Sequence, residues 1–209
     1  MDAVEAGNPA DAACTQPAAR AGSAATAGTG PAGASPAVPG AGFTVVRAEV
    51  TGPLARPLLR DLEREYVARY GGQARAEMTR YPAAEFSPPH GLLLLLLARG
   101  EPVAGGAYRR HDAHTAELKR IWCHPGHRRR GLASRILAEL EAAAARVGYR
   151  RIFLTTGPRQ PEARALYLAA GYTPLFDTSA DPETLGPLPF EKWLAPAPAA
   201  DGARRQEAG

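Results

Sequence analysis

Three arginines and a glycine, Arg128-Arg129-Arg130-Gly131, stand between a run that reads as a β-strand and one that reads as a helix, and this junction constrains the chain more than any other stretch. Ahead of it, Ala116-Glu-Leu-Lys-Arg-Ile-Trp-Cys123 carries the branched and aromatic residues of a strand. Behind it, Leu132, Ile136, Leu140, Ala143 and Val147 recur at helical spacing until Gly148 closes the helix, and Arg151-Ile-Phe-Leu-Thr-Thr156 reads as a second strand. Strand, helix and strand in that order make a βαβ unit with parallel strands and a right-handed crossover. The first turn of a helix leaves backbone N–H groups without acceptors and carries a partial positive charge. The segment from Arg128 to Ser134 is therefore a seat for an anion of the pyrophosphate type. Gly131 lets main chain and anion approach closely, the small Ala133 keeps the helix start open, and the arginines add charge.

The elements around this unit define an α/β domain with a mixed sheet. Phe43-Thr-Val-Val-Arg47 opens it as a strand, and Pro53 to Tyr70 forms a helix with Leu54, Leu58, Leu62, Tyr66 and Tyr70 on one stripe. Leu92 to Ala98 is a strand buried on both faces, since its leucine run falls far short of the roughly 20 residues a membrane helix needs. Val103 to Arg110 is its antiparallel partner, and Gly105-Gly106 within it marks a bulge or a close approach by another group. A second helix starts at Pro161, with Ala163, Leu166, Tyr167 and Ala170 at helical spacing and Gly171 just past its end. Pro187 to Leu194 supplies a last strand, whereas Gln73 to His90, broken by Pro82, Pro88 and Pro89, has no clear pattern.

Residues 1–42 are almost all Ala, Gly, Pro, Ser and Thr and cannot bury enough apolar area to offset their ordering entropy, so they read as a disordered tail. The domain then spans 43–194, and 195–209 is a second disordered tail. No signal-peptide pattern opens the chain, and two isolated cysteines make no disulfide framework, so a cytoplasmic protein is expected. The net charge of +4 suits anionic ligands, though it also suits nucleic acid. Cys123, His124 and His127 match no standard zinc spacing, so no metal is expected. A G-x-x-x-x-G-K-[ST] loop is lacking, which argues against a nucleoside triphosphatase.

The six residues Arg128-Arg129-Arg130-Gly131-Leu132-Ala133 match the signature of the GNAT N-acetyltransferase superfamily: Gln or Arg, two variable residues, Gly, one variable residue, then Gly or Ala. Cys123-His124-Pro125 stands where that family usually has Val-x-Pro, and Pro161-Glu-Ala-Arg-Ala-Leu-Tyr-Leu-Ala-Ala-Gly-Tyr172 resembles its second helix. The resemblance runs from about Phe43 to Leu194. It implies the acyl-CoA N-acyltransferase fold, a mixed and mostly antiparallel sheet around a central parallel βαβ unit. It also implies acetyl-CoA as cosubstrate, and direct transfer of the acetyl group to a primary amine in a ternary complex.

Carried over residue by residue, the resemblance gives Arg128, Arg129, Arg130, Gly131, Leu132, Ala133 and Ser134 to the pyrophosphate. Main-chain groups of Ile121, Trp122 and Cys123 would pair with the pantetheine arm, and an N–H near Cys123 would stabilise the oxyanion. Attack by an amine needs a base, and strand alternation places Glu117 on the cofactor-site strand, on the same face as Lys119, Ile121 and Cys123. Tyr167 matches the tyrosine that commonly protonates the leaving thiolate in this superfamily. Many relatives have an Asn just before the second helix; here the stretch is Gly157-Pro-Arg-Gln-Pro161, with Gln160 as the available amide. A small-molecule amine is the expected acceptor, with no membrane or nucleic-acid partner and a monomer or homodimer as the assembly. Arg109, Arg110 and Arg120 read either as solvated strand-edge arginines or as ligands of an anionic acceptor. The alternatives are a non-catalytic acyl-CoA sensor and a nucleic-acid-binding domain using the arginine loop.

Overall fold

Six consecutive leucines can be buried only between two layers, and the computed structural model, which describes residues 42–195 together with Ala12–Ala13, places them there. Strand β3 (Leu92–Ala98) sends Leu92, Leu94 and Leu96 to one face of the sheet and Leu93 and Leu95 to the other. The first set packs with Ile136, Leu137 and Leu140 of helix α3 (Leu132–Arg146); the second packs with Leu58, Leu62 and Tyr66 of helix α1 (Arg56–Tyr70). Full burial of a leucine side chain stabilises by about 1.5–3 kcal/mol, so this strand anchors both layers at once.

The remaining strands are β1 (Ala12–Ala13), β2 (Phe43–Ala48), β4 (Glu101–Arg110), β5 (Thr115–Cys123), β6 (Arg151–Thr156), β7 (Thr173–Pro174) and β8 (Leu188–Trp193). Helices α2 (Arg75–Thr79), α4 (Pro161–Ala169) and α5 (Pro182–Leu185) complete the domain. The sheet order is β2-β3-β4-β5-β6-β8-β7, antiparallel throughout except for the parallel pair β5–β6 joined through α3. This is the expected fold class. The segment 73–90 folds as short helical pieces, α2 and two 3₁₀ turns, that lie over the α1 face and bury Phe86.

Two expectations for helix faces change. Val147 is 57% exposed because it lies beyond the last helical residue of α3, and Leu54 is 39% exposed because it belongs to a 3₁₀ turn ahead of α1. The tails expected at 1–42 and 195–209 lie, apart from Ala12–Ala13, Gly42 and Ala195, outside the described residues.

Between β4 and β5 the register slips by one residue: Gly105 faces Trp122 and Ala107 faces Lys119, leaving Arg120 and Ile121 opposite Gly106 alone. Arg120 takes a left-handed backbone, φ +59°. An extra residue on one strand shifts the phase of its pleat. Ala116 and Leu118 face α3, as do Ile121 and Cys123 beyond the slip, whereas Trp122 joins the α1 cluster. Lys119 and Arg120 both point to the α1 side, beside Tyr66 and Phe86. Glu117 therefore shares a face with Lys119 but not with Ile121 and Cys123, which corrects the simple alternation. A Cβ on Gly106 would lie 2.5 Å from Ile121 Cδ1 and 2.9 Å from Leu140 Cδ1, so the glycine admits the bulge and the helix together.

Candidate functional site

Strands β5 and β6 pair only from Thr115 to Glu117 and from Arg151 to Phe153. Beyond that point β5 runs on to Cys123 and β6 to Thr156 without pairing to each other, so the sheet splays between them. Main-chain groups of β5 on this side can pair with an extended chain, as the short parallel match of Ala12–Ala13 to Ile121 and Trp122 demonstrates.

At the open end of the gap lies the arginine turn. Arg129 has φ +61°, and Gly131, the residue capping α3, has φ +72° with nothing within 4 Å of a built Cβ. The glycine is required here by its backbone angle rather than by crowding from the protein. The first bond of α3 runs from Arg135 N–H to the Gly131 carbonyl, 3.0 Å, which leaves the N–H groups of Leu132, Ala133 and Ser134 without intrahelical acceptors. They border a cavity of about 250 Å³ formed by Cys123, Arg129, Gly131 and the first turn of α3 on one side and by Glu162, Ala165 and Leu166 of α4 on the other.

The three arginines divide. Arg129 lines the cavity. Arg128 turns back along the strand, its Nη2 3.2 Å from Glu65 of α1 and its Nε 3.5 Å from the Cys123 carbonyl. Arg130 lies 3.2 Å from His127 Nδ1. Burial, the Arg130 guanidinium and His124 hold the His127 imidazole below its ordinary range. Glu65 also pairs with Arg69 at 2.7 Å, and Arg69 reaches Glu162, so alternating charges tie the arginine turn, α1 and α4 across the mouth of the gap.

Of the other expected residues, Trp122 is fully buried and donates its indole N–H to Asp61 at 3.2 Å, which makes it wall rather than lining. Ile121 is likewise packed into the α3 core, and only Cys123 of the three reaches the cavity with its side chain. Tyr167 is buried on α4, its ring 5.6 Å from Tyr172 and 5.7 Å from Phe190. Glu117 is buried on the opposite face, Oε1 2.8 Å from Lys119 Nζ and Oε2 2.7 Å from Arg109 Nη2. Arg109 also pairs with Glu85 and stacks 3.9 Å from the Tyr81 ring centroid, while Arg120 stacks 4.0 Å from Phe86 and donates to the Met78 carbonyl. These two arginines bind the 73–90 segment to the sheet, so they are not solvated strand-edge residues. The small cavity beside them, lined by Tyr66, Glu77, Tyr81 and Lys119, has room for about one water.

Gln160 carries a signal the sequence only half showed. It caps the start of α4 fully buried, its Oε1 accepting from Thr156 Oγ1 at 2.9 Å and from Gly157 N–H at 3.0 Å, while its buried Nε2 has no hydrogen-bond partner among the described residues. Glu65, Arg69 and Glu162 went unread, although Glu65 and Arg69 have the i, i+4 spacing of a helical ion pair and Glu162 is the first-turn acid that follows a helix-opening proline.

Comparison with known proteins places this geometry. Residues 56–172 match the acetyltransferase (GNAT) family. Among solved structures, a protein from Klebsiella pneumoniae described as an acyl-CoA N-acyltransferase is 26% identical, with a TM-score of 0.57 over 73% of this chain and 98% of its own. An acetyltransferase from Thermus thermophilus is 23% identical, with a TM-score of 0.54 over 72% of this chain and 97% of its own. A GNAT family acetyltransferase from Elizabethkingia anophelis, determined with acetyl-CoA bound, is 15% identical, with a TM-score of 0.50 over 74% of this chain and 99% of its own. Comparison with curated proteins finds no match. With more than half of its length matched to the family and the splayed sheet and helix-capping turn in place, the chain belongs to the GNAT acetyltransferase family.

Proposed function

We propose that the protein is an acetyl-CoA-dependent N-acetyltransferase that moves an acetyl group to a primary amine, most simply that of a small molecule, by direct transfer in a ternary complex. The observation that carries this reading is the coincidence of the β5–β6 splay with the cavity at the α3 N-terminus. The residues there fit the cosubstrate. Unpaired N–H groups of Leu132 to Ser134 and the Arg129 guanidinium suit a pyrophosphate, and the small apolar Ala133, Ala165 and Leu166 suit the arm that follows it. The carboxylate of Glu162 in the same cavity is neutralised by Arg69. Main-chain groups of Ile121 to Cys123 would hold the arm in the gap, and the Nε2 of the buried Gln160 at the start of α4 is a donor without a partner among the described residues.

Acetyl-CoA supplies an activated thioester acyl group when bound. With it bound, a main-chain N–H near Cys123 would orient the carbonyl, Tyr167 would hold the proton that the thiolate needs on leaving, and Glu117 would take the proton of the amine through water. Because Glu117 and Lys119 face α1, the amine approaches from the side covered by the 73–90 segment. The ion pairs at both Glu117 oxygens favour a second reading, a protein that binds acyl-CoA without turnover.

Calorimetric titration of acetyl-CoA into wild type and Ser134→Glu tests the site. Ser134 is exposed in the first turn of α3, where an acid favours the helix, so the variant folds while placing negative charge in the cradle. The expected result is saturable binding weakened at least tenfold in the variant. Equal affinity in both proteins removes the proposed site. Thiol release with a panel of amines, lost in Glu117→Gln and Tyr167→Phe, then distinguishes the enzyme from the sensor.

A further inference from the structure

A cavity larger than the one at the α3 N-terminus lies elsewhere among the described residues. At the opposite end of α3, where the helix ends and β3 begins, a cleft of about 460 Å³ opens between the sheet, α3 and the 88–91 turn. The two sites lie at opposite ends of the fifteen-residue α3, with nine positions, roughly 14 Å along the axis, between the lining residues Ser134 and Ala143. Its volume falls in the range of small-molecule sites, roughly 300–1,000 Å³.

Its lining has one sign of charge. Arg47 from β2, Arg110 from β4 and Arg146 from α3 reach it from three separate elements, with His90 beside them, and no carboxylate lines it. None of the three arginines makes an ion pair with a carboxylate among the described residues, whereas Arg69, Arg109, Arg128 and Arg151 all do. The nearby Asp112 is engaged elsewhere: its Oδ1 accepts from the His114 and Thr115 N–H groups and its Oδ2 lies 3.5 Å from Arg151. The closing turn of α3 satisfies its own carbonyls, with Tyr149 N–H bonded to Ala144 and Gly148 N–H to Ala145, which blunts the negative end of the helix.

A second, independent feature points the same way. Tyr108 lines the cleft and is only 2% exposed, yet its hydroxyl makes no hydrogen bond among the described residues. Its neighbour Tyr149, packed edge-to-face at 5.9 Å, spends its own hydroxyl on the His90 carbonyl at 2.9 Å. Burial and Tyr149 push the Tyr108 hydroxyl above the ordinary tyrosine range against the pull of Arg47 and Arg146, so it is a neutral donor in the same cleft as these two cations. Apolar Pro88, Pro89, Leu92, Ala143 and the exposed Val147 supply the rest of the surface.

We propose that this cleft is a second ligand site, which takes a small organic anion of two or more negative charges, a phosphate ester or a polycarboxylate, with a compact carbon body. Guanidinium forks recognise the oxyanions, the Tyr108 hydroxyl donates to one of them, and the prolines and Val147 cover the carbon skeleton. The concave shape and the tyrosine in its lining favour a small ligand over the broad phosphate track of a nucleic acid. The proposal is independent of the acetyltransferase reading, since no residue is shared with the cradle.

The test is calorimetric titration of citrate and of tripolyphosphate into the full chain saturated with coenzyme A, which blocks the cradle. A parallel arm uses Ser134→Glu protein, whose cradle repels anions whether or not coenzyme A binds. The expected result in both arms is one saturable site for at least one probe. It should weaken at least tenfold in the Arg47→Ala, Arg110→Ala, Arg146→Ala triple variant and a few-fold in Tyr108→Phe, with thermal unfolding and coenzyme A affinity unchanged. Absence of saturable binding by both probes overturns the proposal, as does binding that survives the triple variant. Capture of a DNA duplex through the same arginines, with neither small probe saturating, overturns it in favour of nucleic acid.

Discussion

Replacing Gly131 separates two reasons for a glycine at the anion turn. If it serves close approach of the ligand, any side chain blocks binding; if it serves the backbone angle, the cost falls first on stability. The φ of +72° favours the second, and no protein atom crowds a built Cβ. A left-handed residue with a Cβ costs about 1–2 kcal/mol, and reduced freedom of the unfolded chain returns about 0.4–1 kcal/mol, so Gly131→Ala should lose about 1 kcal/mol. For a domain of this size that lowers Tm by about 2–4 °C. Asn tolerates the left-handed region and should lose less; Val, branched at Cβ, should lose more. Acetyl-CoA affinity should fall no more than about fivefold in the Ala variant, because the same ~1 kcal/mol is all that a relaxed turn can withhold. Thermal unfolding and calorimetry on the series read both quantities. An Ala variant as stable as wild type that no longer binds, or an Asn variant worse than Ala, would refute the argument.

Four further outcomes follow from particular contacts. Gly106→Val should destabilise by roughly 1–3 kcal/mol in chemical denaturation, since its Cβ would press on Ile121 and Leu140; a neutral result would show that the bulge relaxes freely. Tyr172 donates to Glu141 at 2.9 Å and Lys192 lies 2.7 Å from the same carboxylate, so Glu141→Leu strands the buried Tyr172 hydroxyl, leaves Lys192 the Ala170 carbonyl alone, and should cost about 1–3 kcal/mol, more than Tyr172→Phe. Burial, then Glu141, hold the Tyr172 hydroxyl well above the ordinary tyrosine range, and its phenolate absorbance should stay absent at alkaline pH until the fold is lost. His127, held low in the folded state, binds its proton less tightly than in the unfolded chain. Its contribution therefore lowers stability as pH falls through the ordinary imidazole range, and Arg130→Gln should move its NMR titration upward; an unmoved midpoint would exclude Arg130 as a cause.

How far the sequence could be read follows from where the physics is local. The β5–α3–β6 unit and the buried leucine strand rest on periodicity and turn chemistry within a few residues, and they stand as expected. The direction of Arg128 does not, because its partner Glu65 lies on a helix sixty-three residues earlier and only the packing of α1 brings the two together. The face of Glu117 is the more instructive case. Gly105-Gly106 signalled a bulge, but the extra residue is inserted on the neighbouring strand, at Arg120, and that insertion reverses the pleat for every residue beyond it. A glycine pair on one strand can thus report an irregularity in its partner. Alternation counted along a single strand cannot carry a side chain's face across it. Glu117 and the side chains of Ile121 and Cys123 consequently face opposite layers. The proline-broken segment 73–90 folds as short helical turns that carry too little periodicity to be read. Its place is fixed by Arg109 stacking on Tyr81 and Arg120 on Phe86, contacts made across the fold rather than along the chain.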